Sequence, residues 1–180
     1  MKLTWSKAVW ILGASLLGIA LLSSLPGRPI VNTSPSEPYG LYWVTFFPDH
    51  TPTLHLGELV LFHYRAPAWA KGRYDPNGSR FLKQVGALPG SWLFTRGMAQ
   101  WSCPSDHFTR TVCEKLGTML RKDPKGRLMH WPVWNGYRIP DGYYYMRAVY
   151  VPTSYDSRYY GLVSDSQLIG KLTPLFTFGK

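Results

Sequence analysis

The chain has 180 residues, 45% of them hydrophobic, so it is long enough for one well-packed domain of ordinary composition. Its 20 Lys and Arg against 10 Asp and Glu give a net charge of +10, which favours an anionic lipid surface, an acidic protein or a nucleic acid as partner. The basic residues are scattered along the chain, so we expect no nucleic-acid partner.

The first predicted element is an apolar membrane-spanning helix near the N-terminus. The segment from Ala8 to Leu25 carries no charge, and Lys2 and Lys7 precede it. Because residues 21–24 make a poor cleavage site, we favour an uncleaved anchor over the alternative of a removed secretory signal. By the positive-inside rule, residues 1–7 are then cytoplasmic and residues 26–180 form a periplasmic domain of a bacterial inner-membrane protein.

Beyond the anchor the chain is predicted to be mainly β. Short segments rich in Val, Tyr, Phe and Trp are separated by Gly and Pro, which is typical of strands and turns. The predicted strands are Leu41–Phe47, Glu58–Tyr64, Arg80–Val85, Tyr143–Val151 and Gln167–Leu175.

The segment 91–138 differs in composition and is predicted to be an inserted subdomain. It contains a short stretch, Glu114–Lys122, with possible helical spacing, and it carries both cysteines of the chain. Cys103 and Cys113 could close a small loop by a disulfide in an oxidising compartment, with a pair of free buried cysteines as the alternative. The histidines and cysteines form no H-E-x-x-H or C-x-x-C arrangement, so no metal and no cofactor are predicted.

The available chemistry points to a serine activated by a lysine. No G-x-S-x-G elbow and no phosphate-binding glycine loop occurs in the sequence. A lysine can act as a base when burial lowers its pKa, and Lys83 lies among apolar neighbours from Phe81 to Leu88. Strand alternation leaves open that Lys83 is a solvated surface residue instead.

Four motifs in succession resemble the boxes of type I signal peptidases. They are Ser36-x-Pro38, then Gly57 to Val60, then Lys83 to Gly90, then Ser154 to Gly161. The compact size and the S-x-P-x-G-x-Y form of the serine motif are most similar to the conjugative-transfer branch, which matures pilins. The resemblance implies a signal-peptidase-like β fold behind one N-terminal transmembrane helix.

The resemblance also implies a catalytic dyad. Ser36 matches the nucleophile, and Lys83 matches the general base that removes its proton. Ser34 matches a position whose hydroxyl joins the Ser36 backbone N–H in the oxyanion hole.

The last motif matches residues that support the dyad. Ser154 matches a serine that hydrogen-bonds the lysine, while Asp156 and Arg158 match a supporting ion pair. Two departures stand out: Glu37 occupies a position where the family usually has Met, and residues 146–153 lack the family's Gly-Asp-Asn stretch.

The sequence therefore predicts a membrane-anchored serine endopeptidase that removes leader peptides from membrane-tethered precursors, with a conjugative propilin and inner-membrane lipid as partners. Cyclisation of the product is a possible outcome. A general signal peptidase shares this chemistry, whereas a self-cleaving repressor with a similar dyad would be cytoplasmic. The alternative from another class is a non-catalytic, membrane-anchored assembly component of a conjugation or secretion apparatus.

Overall fold

The computed structural model describes residues 5–24, 26–48 and 52–179. Helix α1, Trp5–Ser24, covers most of the predicted anchor segment. Within the described ranges, no helix reaches the combined length and hydropathy of a membrane-crossing segment. Residues 1–4 of the predicted cytoplasmic N-terminus and Leu25 at the end of the predicted anchor lie outside the described residues.

The rest of the described chain is mainly β, as predicted. The strands are β1 Arg28–Asn32, β2 Tyr39–Phe46, β3 Leu59–His63, β4 Arg80–Ala87, β5 Trp92–Arg96, β6 Ala99–Cys103, β7 Glu114–Thr118, β8 Asn135–Arg138, β9 Tyr143–Arg147, β10 Val163–Ser164 and β11 Leu168–Phe178. A short helix α2, Ser157–Tyr160, and two 3₁₀ turns, Ala68–Ala70 and Asp165–Gln167, complete the described elements.

These strands form two antiparallel sheets. The larger has seven strands in the order β1-β2-β11-β3-β4-β9-β10, and the smaller has four in the order β7-β6-β5-β8. The larger sheet brings together strands far apart in sequence, so the serine motif before β2 and the lysine motif on β4 belong to one framework.

The centre of the larger sheet is buried on both faces. Val60 and Phe62 of β3 pack in one apolar cluster with Val85 of β4, whereas Leu61 and Leu82 pack in a second cluster. Because side chains alternate along a strand, Lys83 shares its face of β4 with Val85 and therefore points towards apolar surroundings.

The smaller sheet falls within the segment 91–138. Leu93, Leu116 and Ile139 pack against Ala87 and Tyr145 of the larger sheet, so an apolar contact joins the two sheets.

One cysteine lies in this smaller sheet and the other directly precedes one of its strands. A disulfide joins Cys103 at the end of β6 to Cys113 just before β7. The alternative of free cysteines is therefore wrong.

All five predicted strands are present, with shifted ends. The largest shift is in β9, which ends at Arg147 instead of Val151. The helical interpretation of Glu114–Lys122 is wrong, because Glu114–Thr118 pairs with β6 as a strand. The strands that were not predicted are short, and one of them, β1, contains Pro29.

Candidate active site

The serine motif forms the connection between β1 and β2. The two strands pair from Arg28↔Val44 to Asn32↔Gly40, so residues 33–38 close a hairpin loop, which we call the serine loop. Ser36 lies in this loop with 7% of its surface exposed. Pro35 and Pro38 restrict the residues before them to extended conformations and stiffen the loop.

The glycine of the serine motif allows a close approach between strands. A Cβ on Gly40 would lie 2.1 Å from the carbonyl oxygen of Phe176 in β11, far inside van der Waals contact. Gly40 also has φ of 149°, a conformation that L side chains rarely adopt. The base of the serine loop can therefore rest against β11 only with glycine here.

Lys83 projects from β4 to the serine loop. Its Nζ donates a hydrogen bond to Ser36 Oγ at 2.6 Å, although 47 residues separate the two in sequence. Lys83 is 4% exposed, and its Nζ lies 5.7 Å from the ring centroid of Phe81. The alternative of a solvated surface lysine is wrong.

The surroundings of Lys83 lower its pKa. Burial is the main cause and lowers the pKa from 10.5 to about 8, because an ammonium loses its hydration in an apolar site. The carboxylates of Asp156 and Glu37 oppose this shift, while the charge of Arg158 adds to it. A substantial fraction of Lys83 is consequently neutral near pH 8 and able to accept a proton.

Ser34 lies directly beside Ser36. The two Oγ atoms are 2.8 Å apart, and the Ser36 backbone N–H points to Ser34 Oγ at 3.5 Å. Ser34 Oγ therefore lies within reach of both the hydroxyl and the backbone N–H of Ser36.

Asp156 and Arg158 form a buried, bidentate ion pair. Arg158 Nε donates to Asp156 Oδ1 and Nη2 donates to Oδ2, each at 2.8 Å, and the two residues are 0% and 3% exposed. The same guanidinium donates to the carbonyls of Thr118 on β7, Pro152 and Ser154. The pair thus ties the loop around Ser154 to the smaller sheet.

Ser154 borders the same groove as Ser36 and Lys83. No hydrogen bond between Ser154 and Lys83 occurs in the described part of the chain, where the Lys83 ammonium is directed to Ser36. The contact implied for Ser154 stays a prediction.

Glu37 is buried immediately after the serine, with 1% exposure. Its Oε2 accepts a hydrogen bond at 3.1 Å from Gln84, the neighbour of Lys83 on β4. This carboxylate points into the protein, so the departure from Met brings a charge-bearing group close to the dyad.

A groove of about 970 Å³ runs past the dyad. Strand β1, at the edge of the larger sheet, lines the groove together with part of β4 and the loop around Ser154. Three or more His, Cys, Asp or Glu side chains with metal-site geometry are not found anywhere in residues 5–24, 26–48 and 52–179.

Asn32 is a site residue that the sequence analysis missed. Its side chain hydrogen-bonds four backbone groups of the serine loop. One of these is an Asx turn, in which Oδ1 accepts the N–H of Ser34 two residues later. The signal was present in the string N-T-S-P, because Asn before a turn is a recognised turn former.

This chain matches a family model and is similar to known proteins. The family model described as "Signal peptidase, peptidase S26" matches residues 2–176. The conjugal transfer protein TraF of Agrobacterium fabrum (strain C58) is 29% identical over 178 residues, covering 91% of this chain and 90% of that protein. A signal peptidase I from Enterococcus faecalis V583 covers 68% of this chain and 98% of its own, with 20% identity and a TM-score of 0.38.

Proposed function

The chain belongs to the signal peptidase family, peptidase S26, and we propose that it is a serine endopeptidase in which Ser36 and Lys83 form the catalytic dyad. The observation that carries this proposal is the 2.6 Å contact between Lys83 Nζ and Ser36 Oγ in a buried site. A lysine whose pKa is lowered to about 8 is suited to take the serine proton.

In the first step, neutral Lys83 accepts the Ser36 proton as Oγ attacks the scissile carbonyl carbon. The carbonyl oxygen gains negative charge, and the Ser36 N–H and the Ser34 hydroxyl donate to it. Loss of one such donor commonly costs about 10²–10³ in rate. The proximity of the Ser34 hydroxyl to the Ser36 N–H supports this assignment.

In the second step, the tetrahedral intermediate collapses and the peptide C–N bond breaks. Lys83 returns the proton to the leaving amine, and an ester to Ser36 remains. A water molecule then gives a proton to Lys83 and attacks the ester carbonyl, and Lys83 passes that proton to Ser36 Oγ as the ester C–O bond breaks. If the acylated fragment's own N-terminal amine attacked the ester before water did, Ser36 would leave and that fragment would be released as a cyclic peptide.

The groove supports binding of the precursor as an extended strand. Strand β1 ends the sheet order, so within the described residues its outer edge has no partner strand. An extended peptide can add to such an edge through main-chain hydrogen bonds. The same strand lines the groove that passes Ser36, so an added strand would present its scissile bond there.

The Asp156–Arg158 pair supports the dyad indirectly, through a neighbouring loop. Its contacts with the carbonyls of Pro152 and Ser154 hold the loop that borders the groove. We assign Asp156 and Arg158 a positioning role, and we keep Ser154 as the residue that orients Lys83 when a precursor is bound.

The substrate we propose is a conjugative propilin tethered to the bacterial inner membrane. The similarity to a protein named for conjugal transfer supports this choice. We further propose that residues 8–25 anchor the chain in that membrane, that residues 1–7 are cytoplasmic, and that residues 26–180 are periplasmic with 91–138 as an inserted subdomain.

The test compares wild type with Ser36→Ala and Lys83→Ala, each expressed with a tagged conjugative propilin. Mass spectrometry should find leader-free pilin with wild type but with neither dyad variant, and a product lighter than its linear form by one water would reveal cyclisation. The matched control is Ser91→Ala, a serine outside the serine loop and the groove lining. Unchanged processing in both dyad variants would refute the peptidase and favour a non-catalytic assembly component.

A further inference from the structure

Asn32 is the last residue of β1 and is 7% exposed. Its Oδ1 accepts the Ser34 N–H at 3.0 Å. Its Nδ2 lies 3.1 Å from the carbonyl oxygen of Ser34 and 3.0 Å from those of Glu37 and Pro38. A single buried amide thus contacts the serine loop on both sides of Ser36.

The serine loop needs such a partner because its own backbone is poor in donors. Pro35 and Pro38 have no N–H, so two of the residues in 33–38 cannot donate a backbone hydrogen bond. A side-chain amide offers both an acceptor and donors, and can therefore hold N–H and carbonyl groups of the same loop.

We propose that Asn32 is a positioning residue for catalysis. Its amide fixes the serine loop so that the Ser36 N–H and hydroxyl reach the scissile carbonyl while Lys83 contacts that hydroxyl. This inference rests on the proposed function. Asn32 does not touch the dyad atoms in the structure, so it acts through the backbone of Ser34 and Glu37.

The geometry separates this role from ordinary loop stability. Tyr42 also holds the serine loop, since its hydroxyl donates to the Pro38 carbonyl at 2.7 Å. That contact reaches only the far end of the loop, beyond Ser36. Tyr42→Phe is therefore a matched control that removes one loop hydrogen bond without releasing the Ser34 and Glu37 contacts.

The experiment uses the purified full chain in detergent with a peptide spanning the propilin cleavage site. For Asn32→Ala we expect kcat to fall about 100-fold with KM within about threefold, because a small displacement of reacting groups acts on the transition state. For Tyr42→Phe we expect kcat within about threefold of wild type. Thermal unfolding of each variant measures the loss of stability in parallel.

A second variant separates a loss of catalysis from a loss of folding. Asn32→Asp keeps the shape and the Oδ1 acceptor but turns a lone pair, instead of an N–H, towards the carbonyls, so it should also lose kcat selectively. If both folded Asn32 variants keep wild-type kcat, or if Tyr42→Phe loses as much as they do, the positioning role is overturned while the dyad stands. If wild type and Ser36→Ala are equally inactive, the proposed function fails and takes this inference with it.

Discussion

The pH dependence of cleavage follows from the burial of Lys83. With a pKa of about 8, Lys83 is neutral in roughly one molecule in ten at pH 7. An exposed lysine would be neutral in only about one molecule in 3,000. We therefore expect kcat/KM to rise about tenfold from pH 7 to a plateau above pH 9, with one ionisation near 8.

Replacing Glu37 with Gln should move this profile. The Glu37 carboxylate raises the pKa of Lys83, so removing its charge should lower the midpoint by about half to one pH unit. Gln keeps the size of the side chain and an oxygen to accept the hydrogen bond from Gln84. Asp106→Asn, which removes the same charge from an exposed position, is the control and should leave the midpoint unchanged.

The assay is the initial rate of cleavage of a propilin-derived peptide between pH 6 and pH 10. Circular dichroism at each pH separates a change in ionisation from unfolding. A wild-type midpoint near 10.5, or a Glu37→Gln midpoint that moves upwards, would refute the role of a desolvated lysine.

Further expectations concern stability, measured by urea unfolding. Because the pKa of Lys83 in the folded chain lies below its unfolded value, the penalty for burying its charge is complete below pH 8 and vanishes as pH rises towards 10.5. Lys83→Met should thus be inactive yet more stable at pH 7 by up to about 3 kcal/mol, and a less stable variant would contradict this. Asp156→Asn leaves the Arg158 charge buried without its partner and should cost about 3–5 kcal/mol; a loss below about 1 kcal/mol would be inconsistent with a buried pair. Replacing Cys103 and Cys113 by Ser should cost about 2–3 kcal/mol from loop closure, and no change on reduction of wild type would speak against the disulfide.

Much of the larger sheet could be predicted from the sequence, because its strands combine apolar and aromatic residues with clear turn signals. The predicted ends of the central strands β3 and β4 lie within two residues of the observed ends. The contact between Ser36 and Lys83 could not be predicted in this way, since no local pattern connects residues 47 positions apart. The two residues could be assigned to one site only because the four motifs occur in the order typical of the family.

The smaller sheet illustrates a limit of local patterns. The spacing in Glu114–Lys122 suggested a helix, but the pairing of β7 with β6 prevails. Gly117 has φ of 159° in this strand, and a Cβ there would lie 2.9 Å from Arg158 Cδ. Packing against a distant arginine thus fixes this segment, and such contacts are not visible in a short window of sequence.

The site residues divide in the same way. The family pattern proposed Ser34, Ser154, Asp156 and Arg158. The structure places Ser34 beside Ser36 and pairs Asp156 with Arg158, while the catalytic roles of these residues and the Ser154 contact with Lys83 stay predictions. Asn32 was not predicted as a site residue, because a single Asn before a turn is common. Its four contacts form only when the serine loop folds back on it.

The most direct measurement of the central claim is to trap the ester on the enzyme. Full-length wild type is mixed with a propilin-derived peptide, quenched in acid, digested and mapped by mass spectrometry. The account predicts an acyl group on Ser36, and its absence from Lys83→Met under the same conditions. An acyl group on another residue, or equal acylation of Ser36 in Lys83→Met, would contradict the account.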